Sequence, residues 1–251
     1  VFFKDTAEYI PGTQNPEPWI YYGMTGSFMM CFAVLITYFG TLKYRNSSFN
    51  DSTSFDLKLI YSQISIALKN KSFLIFFIGY LFIAVGWGLN SSLQIYMNTY
   101  FWEFKSIMIA SFLGIYAIST FSAFLLVPRL VLYIEKKAIL LFAIAFAALV
   151  PPIPIFLYIN GILPDSGSWE LFYALVPFIY IANTCLSSSA IIRESMLGDI
   201  SDEVELDSQI GQQGLMYASS SLIGKLNTGL GILMAGLALE FIGFPQRSEF
   251  F

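Results

Sequence analysis

Six stretches of this chain are long and apolar enough to cross a bilayer, and that recurrence limits the fold more than any single motif. A hydrocarbon core about 30 Å thick needs about 20 apolar residues of helix to span it. The stretches cover residues 19–42, 73–100, 106–131, 138–159, 169–192 and 213–242. The expected fold class is therefore an all-α membrane protein with six transmembrane helices. Composition agrees: 56% of the residues are hydrophobic and 12% charged, where soluble domains carry roughly 25% charged. The chain has no histidine, which excludes a histidine dyad, a histidine metal site and a histidine proton switch. Its net charge of -4 offers no basic surface to nucleic acid. Cys31 and Cys185 lie in apolar segments without paired ligand spacing and are expected to pack as small apolar residues.

Each span has its own irregularity. Trp19, Tyr21 and Tyr22 form an interfacial aromatic belt at one end of the first, and Lys43 and Arg45 close the other. Residues 46–72 are polar, and 57–68 shows the apolar period of a short surface helix. The second span is longer than a straight crossing requires and contains Gly79, Gly86 and Gly88, so its helix is expected to tilt, bend or break. Beyond them Asn90, Gln94 and Asn98 recur every four residues and share one face. Amides facing lipid are costly, so that face is expected to look into protein or water. Pro151, Pro152 and Pro154 remove three amide donors from the fourth span, which should kink or end there. The fifth carries a small polar row, Asn183, Thr184, Ser187 and Ser188. Lys43, Arg45, Lys58, Lys69, Lys71, Arg129, Lys136, Lys137 and Arg193 fall on one side of these spans, and Lys4, Lys105 and Arg247 on the other. The excess of basic residues marks the first side as cytoplasmic, residues 46–72 and 193–212 included.

Residues 195–225 hold the sharpest signals. Asp199, Asp202, Glu203, Glu205 and Asp207 crowd between the last two spans and read as a loop. A solvated loop whose acids favour the next helix N-terminus accounts for Glu205 and Asp207. Asp199 lies beside the apolar end of the fifth span, where a carboxylate needs a basic partner or a backbone N–H. With Asp202 and Glu203 it is a candidate for a cytoplasmic gate that closes by ion pairs. Lys225 lies about twelve residues into the last span, or about 18 Å along a helix, too deep for comfortable snorkelling. Gln213, Tyr217, Ser221 and Lys225 form one stripe. Intramembrane ionisable residues mark ion or substrate paths and have partners; a lysine buried for packing against an unseen carboxylate is the structural alternative. No acid of the six spans is expected at that depth. The pairs Ser220/Gly224 and Gly231/Ala235 fit close helix packing, and no phosphate-binding glycine loop is present.

At this point the chain meets a family. The run Met196-Leu197-Gly198-Asp199-Ile200-Ser201-Asp202-Glu203-Val204-Glu205-Leu206, then Gly214-Leu215, Gly224-Lys225-Leu226 and Gly229-Leu230-Gly231, resembles the signature of the glycoside–pentoside–hexuronide:cation symporters. These are the melibiose-permease-like branch of the major facilitator superfamily. Gly40-Thr41, Lys69-Asn70-Lys71-Ser72-Phe73 and Tyr96-Met97-Asn98-Thr99-Tyr100-Phe101-Trp102 are similar to the same branch. The resemblance implies a twelve-helix fold in which these spans are the sixth to the eleventh, within a longer protein that supplies five helices before them and one after. Residues 1–45 would then be an external loop and the last helix of the N-terminal bundle, 46–72 the cytoplasmic linker, and 73–251 the C-terminal bundle. In the family the cation site is built mainly from acids of the N-terminal half, with a lysine of the eleventh helix nearby, and Lys225 is similar in position to it. The chain departs from the family where an arginine pair and a glutamate usually precede the glycine matching Gly214. Ser208-Gln209-Ile210-Gly211-Gln212-Gln213 stands there instead, so no role of that pair carries over. Glu135 likewise replaces the usual glycine before Lys136-Lys137.

The function expected is secondary transport of a sugar or glycoside-like solute by alternating access, coupled to Na+ or H+, in the plasma or inner membrane. Trp87, Asn90, Gln94, Tyr217 and Ser221 are the expected solute residues, Lys225 the coupling residue, and Asp199, Asp202 and Glu203 the gate. Partners are a small solute, the cation, the bilayer and the N-terminal half of the same protein; no other cofactor is expected. The alternatives are a lipid or lysolipid carrier, favoured by a lipid-facing gap between the second and last spans, and a non-transporting membrane scaffold or sensor. An enzyme is not expected, because no nucleophile–base or metal-ligand set stands out.

Overall fold

The computed structural model describes residues 15–42, 57–208 and 213–244. The loop expected over residues 1–14, the basic pair Lys43 and Arg45, residues 46–56 and the segment 209–212 lie outside the described residues. Every element among the described residues is a helix.

Helix α1, Glu17–Thr41, begins behind Pro16 and has no buried residue. Its apolar side chains stand outward all round, with Phe28 74% and Phe39 65% exposed. The hydroxyls of Thr25, Thr37 and Thr41 each turn back to the carbonyl four residues earlier, so these three are satisfied within the helix. Helix α2, Leu57–Lys69, is the short helix expected from the apolar period, and it buries Ala67. Asn70 then takes an extended conformation and caps the next helix, its side-chain oxygen accepting the Phe73 N–H at 2.8 Å.

Helix α3, Lys71–Tyr96, runs unbroken past all three of its glycines and passes into a π-helical turn, Met97–Phe101. The expected irregularity therefore falls at the end of the span and not at the glycines. Gly79 and Gly86 have open space where a side chain would be, whereas Gly88 lies against helix α8, Gln213–Phe241. A Cβ at Gly231 of α8 would come within 2.6 Å of the Gly88 Cα and carbonyl oxygen. The two helices thus cross with backbone against backbone, which only small residues permit. Gly231/Ala235 forms part of that surface, both residues being buried. Ser220/Gly224 does not: Gly224 has open space beside it, and the Ser220 hydroxyl is turned to Glu194.

Helix α4, Ser106–Leu130, carries Pro128 in its last turn. The fourth span divides as its prolines require, into α5, Lys136–Leu149, and α6, Pro152–Ile159. Helix α7, Trp169–Ser208, corrects the expected acidic loop: it is one helix of 40 residues, and the acidic run is its continuation. At 1.5 Å per residue it is about 60 Å long, twice the thickness of a bilayer core. Leu197, Ile200, Ser201 and Val204 recur at helical spacing and are buried, while Asp199, Asp202 and Glu203 take the exposed side. The apolar stripe gives the extension something to bury, and that keeps it helical beyond the membrane.

The helices form two groups. α3 pairs with α8, and α7 packs along α4 and α5. At one end, where Lys71 and Lys136 lie, Ala67, Phe73 and Met216 join Leu197, Ile200 and Val204 in a cluster that ties both groups together. At the other, Trp102, Phe104, Met108, Phe112, Leu171, Phe172 and Leu175 make an aromatic-rich plug. That plug is reinforced by the Gly167 N–H bonding to the Trp102 carbonyl at 2.9 Å. Between these ends the outward side chains are apolar, Phe82, Phe121, Phe142 and Phe156 each being more than three-fifths exposed. A protein that presents such rings on every side is an integral membrane protein, and six of its helical segments have the length and hydropathy to cross.

Candidate functional site

Polar side chains of α3, α4 and α7 meet along one seam. Gln94 Nε2 donates to the Tyr116 hydroxyl, joining α3 to α4. Asn183 Nδ2 donates to Ser119 Oγ and, at 3.4 Å, to the Tyr116 carbonyl, joining α7 to the same turn of α4. Thr120 and Ser187 share a hydrogen bond of 3.1 Å, and the Tyr180 hydroxyl donates to Ser122 Oγ at 2.7 Å. A ladder of uncharged donors and acceptors therefore runs along the α4–α7 seam and reaches α3 through Gln94. Asn183 and Ser187 were legible as a polar row. Tyr116, Ser119, Thr120 and Tyr180 were not, because a tyrosine or a single hydroxyl in an apolar span has no period of its own. The usable signal was their spacing: Tyr116, Ser119 and Thr120 lie three and four apart and so share a face.

The five expected solute residues do not form one site. The contact of Gly88 with Gly231 sets the relative height of α3 and α8. Counting 1.5 Å per residue from that contact, Gln94 lies about 9 Å to its outer side and Tyr217 about 21 Å to its inner side. One small solute cannot touch both. Trp87, Asn90 and Gln94 stay together, all exposed on the side of α3 that α8 leaves free. Tyr217 belongs to the inner end, where its hydroxyl lies beside Gly198 of α7. Ser221 is exposed one turn further in from Lys225.

Lys225 lies about 9 Å to the inner side of the glycine contact, close to the middle of the span. Its side chain is exposed, and it has no ion-pair partner among the described residues. The nearest acid with a contact on α8 is Glu194 of the α7 continuation, at the height of Ser220, about 7.5 Å inward of Lys225. Glu194 accepts from Ser220 Oγ at 3.3 Å and from its neighbour Arg193 at 3.4 Å. Arg193 lays its guanidinium over the Tyr80 ring, 4.1 Å from the centroid.

At the inner end Asp199 has the basic partner its position demanded. Lys136 Nζ donates to both carboxylate oxygens, at 2.6 and 2.8 Å, tying the start of α5 to α7. Glu203 accepts from Asn70 Nδ2 at 3.2 Å and Ser72 Oγ at 3.1 Å, holding the start of α3. Asp202 is exposed. The Lys136–Asp199 tie lies within the expected C-terminal bundle, whereas the Glu203 tie reaches Asn70 and Ser72 at the end of the expected linker. No group of three or more histidine, cysteine, aspartate or glutamate side chains among the described residues could hold a metal ion.

Comparison with known proteins agrees with this architecture. An uncharacterized symporter of Synechocystis sp. is 34% identical over 85 residues, covering 34% of this chain and 15% of that protein. The chain thus matches well under two thirds of its relative's length. No solved structure matches. The family described as MFS/sugar transport protein matches residues 1–249, nearly the whole sequence. Six crossing helices, an apolar exterior and a polar seam between α3, α4 and α7 are therefore those of a chain that belongs to the MFS/sugar transport protein family.

Proposed function

We propose that the protein containing this chain is a secondary carrier that moves a small polar solute by alternating access, coupled to Na+ or H+, with this chain supplying most of its C-terminal half. Family membership supports the reading, and one observation carries it. Asn90 and Gln94 lie on an exposed face of a membrane span, continuous with hydrogen-bonded Tyr116 and Asn183, where lipid contact would be costly. A face of amides and hydroxyls without charge suits the hydroxyl groups of a sugar, and Trp87 on the same face offers a ring for stacking. Trp87, Asn90 and Gln94 are the solute residues in this reading. Tyr217 and Ser221 line the inner path, and Lys225 is the coupling residue, exposed near mid-span toward a carboxylate of the other half. Asp199, Asp202 and Glu203 hold the inner end and act as its gate. A lipid or lysolipid carrier would be favoured by a gap between α3 and α8, and the glycine contact closes that gap.

The test uses the complete protein in proteoliposomes and a panel of labelled mono- and disaccharides, with and without an imposed Na+ or H+ gradient. One or more sugars should accumulate against a gradient. Asn90→Ala and Gln94→Ala should each reduce uptake at least tenfold, and Lys225→Ala should abolish its dependence on the cation gradient. Uptake equal to wild type in both amide variants overturns the solute site, and cation dependence intact in Lys225→Ala overturns the coupling role.

A further inference from the structure

The two helix groups meet in few places between the inner apolar cluster and the Gln94–Tyr116 hydrogen bond. Midway lies a junction of four side chains from three helices: Tyr80 of α3, Arg193 and Glu194 of α7, and Ser220 of α8. Arg193 begins six residues, or about 9 Å, outward of Asp199, so it lies deeper along the bundle than the Lys136–Asp199 tie. Charged residues at such depth persist where they do work, because each one has to be held by partners. Here the holding is loose. The contacts of Glu194 are 3.4 and 3.3 Å, its side chain is 45% exposed, and the Arg193 Nε is buried without a hydrogen-bond partner. A guanidinium offers five N–H donors, and a buried one uses most of them in a final, rigid arrangement. Arg193 uses its flat face on Tyr80 and one donor on Glu194.

We propose that Tyr80, Arg193, Glu194 and Ser220 form a latch that sets the angle between the α3/α8 pair and the α4/α5/α7 group, a joint inside this half distinct from the gate at its inner end. The Arg193–Tyr80 contact fastens α7 to α3, and the Glu194–Ser220 contact fastens the next residue of α7 to α8. Consecutive residues of one helix thus grip both members of the pair, and releasing either lets the pair turn about the inner cluster of Ala67, Phe73, Leu197 and Met216. The four are positioning residues, and none of them is assigned contact with solute. A role in the transport cycle rests on the carrier reading, whereas a distance measurement tests the latch whatever the protein carries.

The experiment uses the complete protein in nanodiscs, with Cys31→Ser and Cys185→Ser and nitroxides on Glu170→Cys and Glu240→Cys at the outer ends of α7 and α8. Pulsed electron resonance then reads the distance between the groups. Tyr80→Leu removes the ring under the guanidinium and should shift the ratio of closed to open forms by about tenfold, seen as a second or broadened distance. Tyr80→Phe keeps the ring and should restore the wild-type distribution. Glu194→Gln combined with Ser220→Ala should broaden it as Tyr80→Leu does. Rescue by phenylalanine separates the latch from a general loss of packing. A distribution unchanged in both Tyr80→Leu and the Glu194/Ser220 double variant overturns the proposal, as does Tyr80→Phe behaving like Tyr80→Leu.

Discussion

Replacing Gly231 by alanine adds a single carbon at the point where α8 crosses α3. That carbon would lie 2.6 Å from both the Cα and the carbonyl oxygen of Gly88, and its carbonyl carbon is also in the way. All three atoms are backbone, so no side chain can swing aside and the two helices have to separate. Overpacking a well-packed site costs about 1 to 3 kcal/mol, and a rigid backbone contact belongs at the upper end of that range. Alanine is a better helix former than glycine by about 1 kcal/mol, which offsets part of the cost. The net loss expected is about 2 kcal/mol, or a fall in melting temperature of about 4 to 8 °C for a chain of this size and of a few degrees in the longer complete protein. Gly229 stands two residues earlier on the same helix with nothing within 4 Å of an added carbon. Gly229→Ala should leave the melting temperature unchanged or raise it by a few degrees, since only the propensity term applies. Both variants of the complete protein would be heated in detergent and the surviving monodisperse fraction measured by size exclusion. Equal melting temperatures for the two variants, or a Gly231→Ala protein as stable as wild type, would refute the close crossing.

Two further outcomes follow from the inner end. Asp199→Asn removes the carboxylate that holds Lys136, but the two side chains are 60% and 29% exposed. The expected loss is therefore below about 1 kcal/mol, and it should shrink further as salt is raised, measured by the same thermal assay. Asn70→Ala removes the cap of α3 and one donor to Glu203. It should cost about 1 kcal/mol and speed amide exchange in the first turn of α3 several-fold, whereas Asn70→Ser, which can still cap, should restore most of the protection.

The candidate site was legible only in part, and its residues show why. Asn90 and Gln94 announced themselves by a four-residue row in an apolar span. Their hydrogen-bonding neighbours Tyr116 and Ser119 did not, because they come from another helix and nothing local ties their face to that of Gln94. Tyr217 and Ser221 were grouped with Asn90 and Gln94 because all four are polar. What separates them is height along the bundle, and that height is set by one contact between Gly88 and Gly231.

Sequence alone determined the class of solvent, the number of crossings and the break in the fourth span. Hydrophobic length, proline and charge act locally, so the break at Val150 and Pro151 and the depth of Lys225 could be read residue by residue. Only the tertiary structure decided that the acidic run continues α7. Leu197, Ile200 and Val204 stay helical because Ala67, Phe73 and Met216, distant in the chain, come to cover them. The same continuation keeps Arg193 and Glu194 helical and packs them against Tyr80 and Ser220, where a reading by local hydropathy had ended the span before them. Burial by distant partners is a non-local energy, and no window of residues contains it.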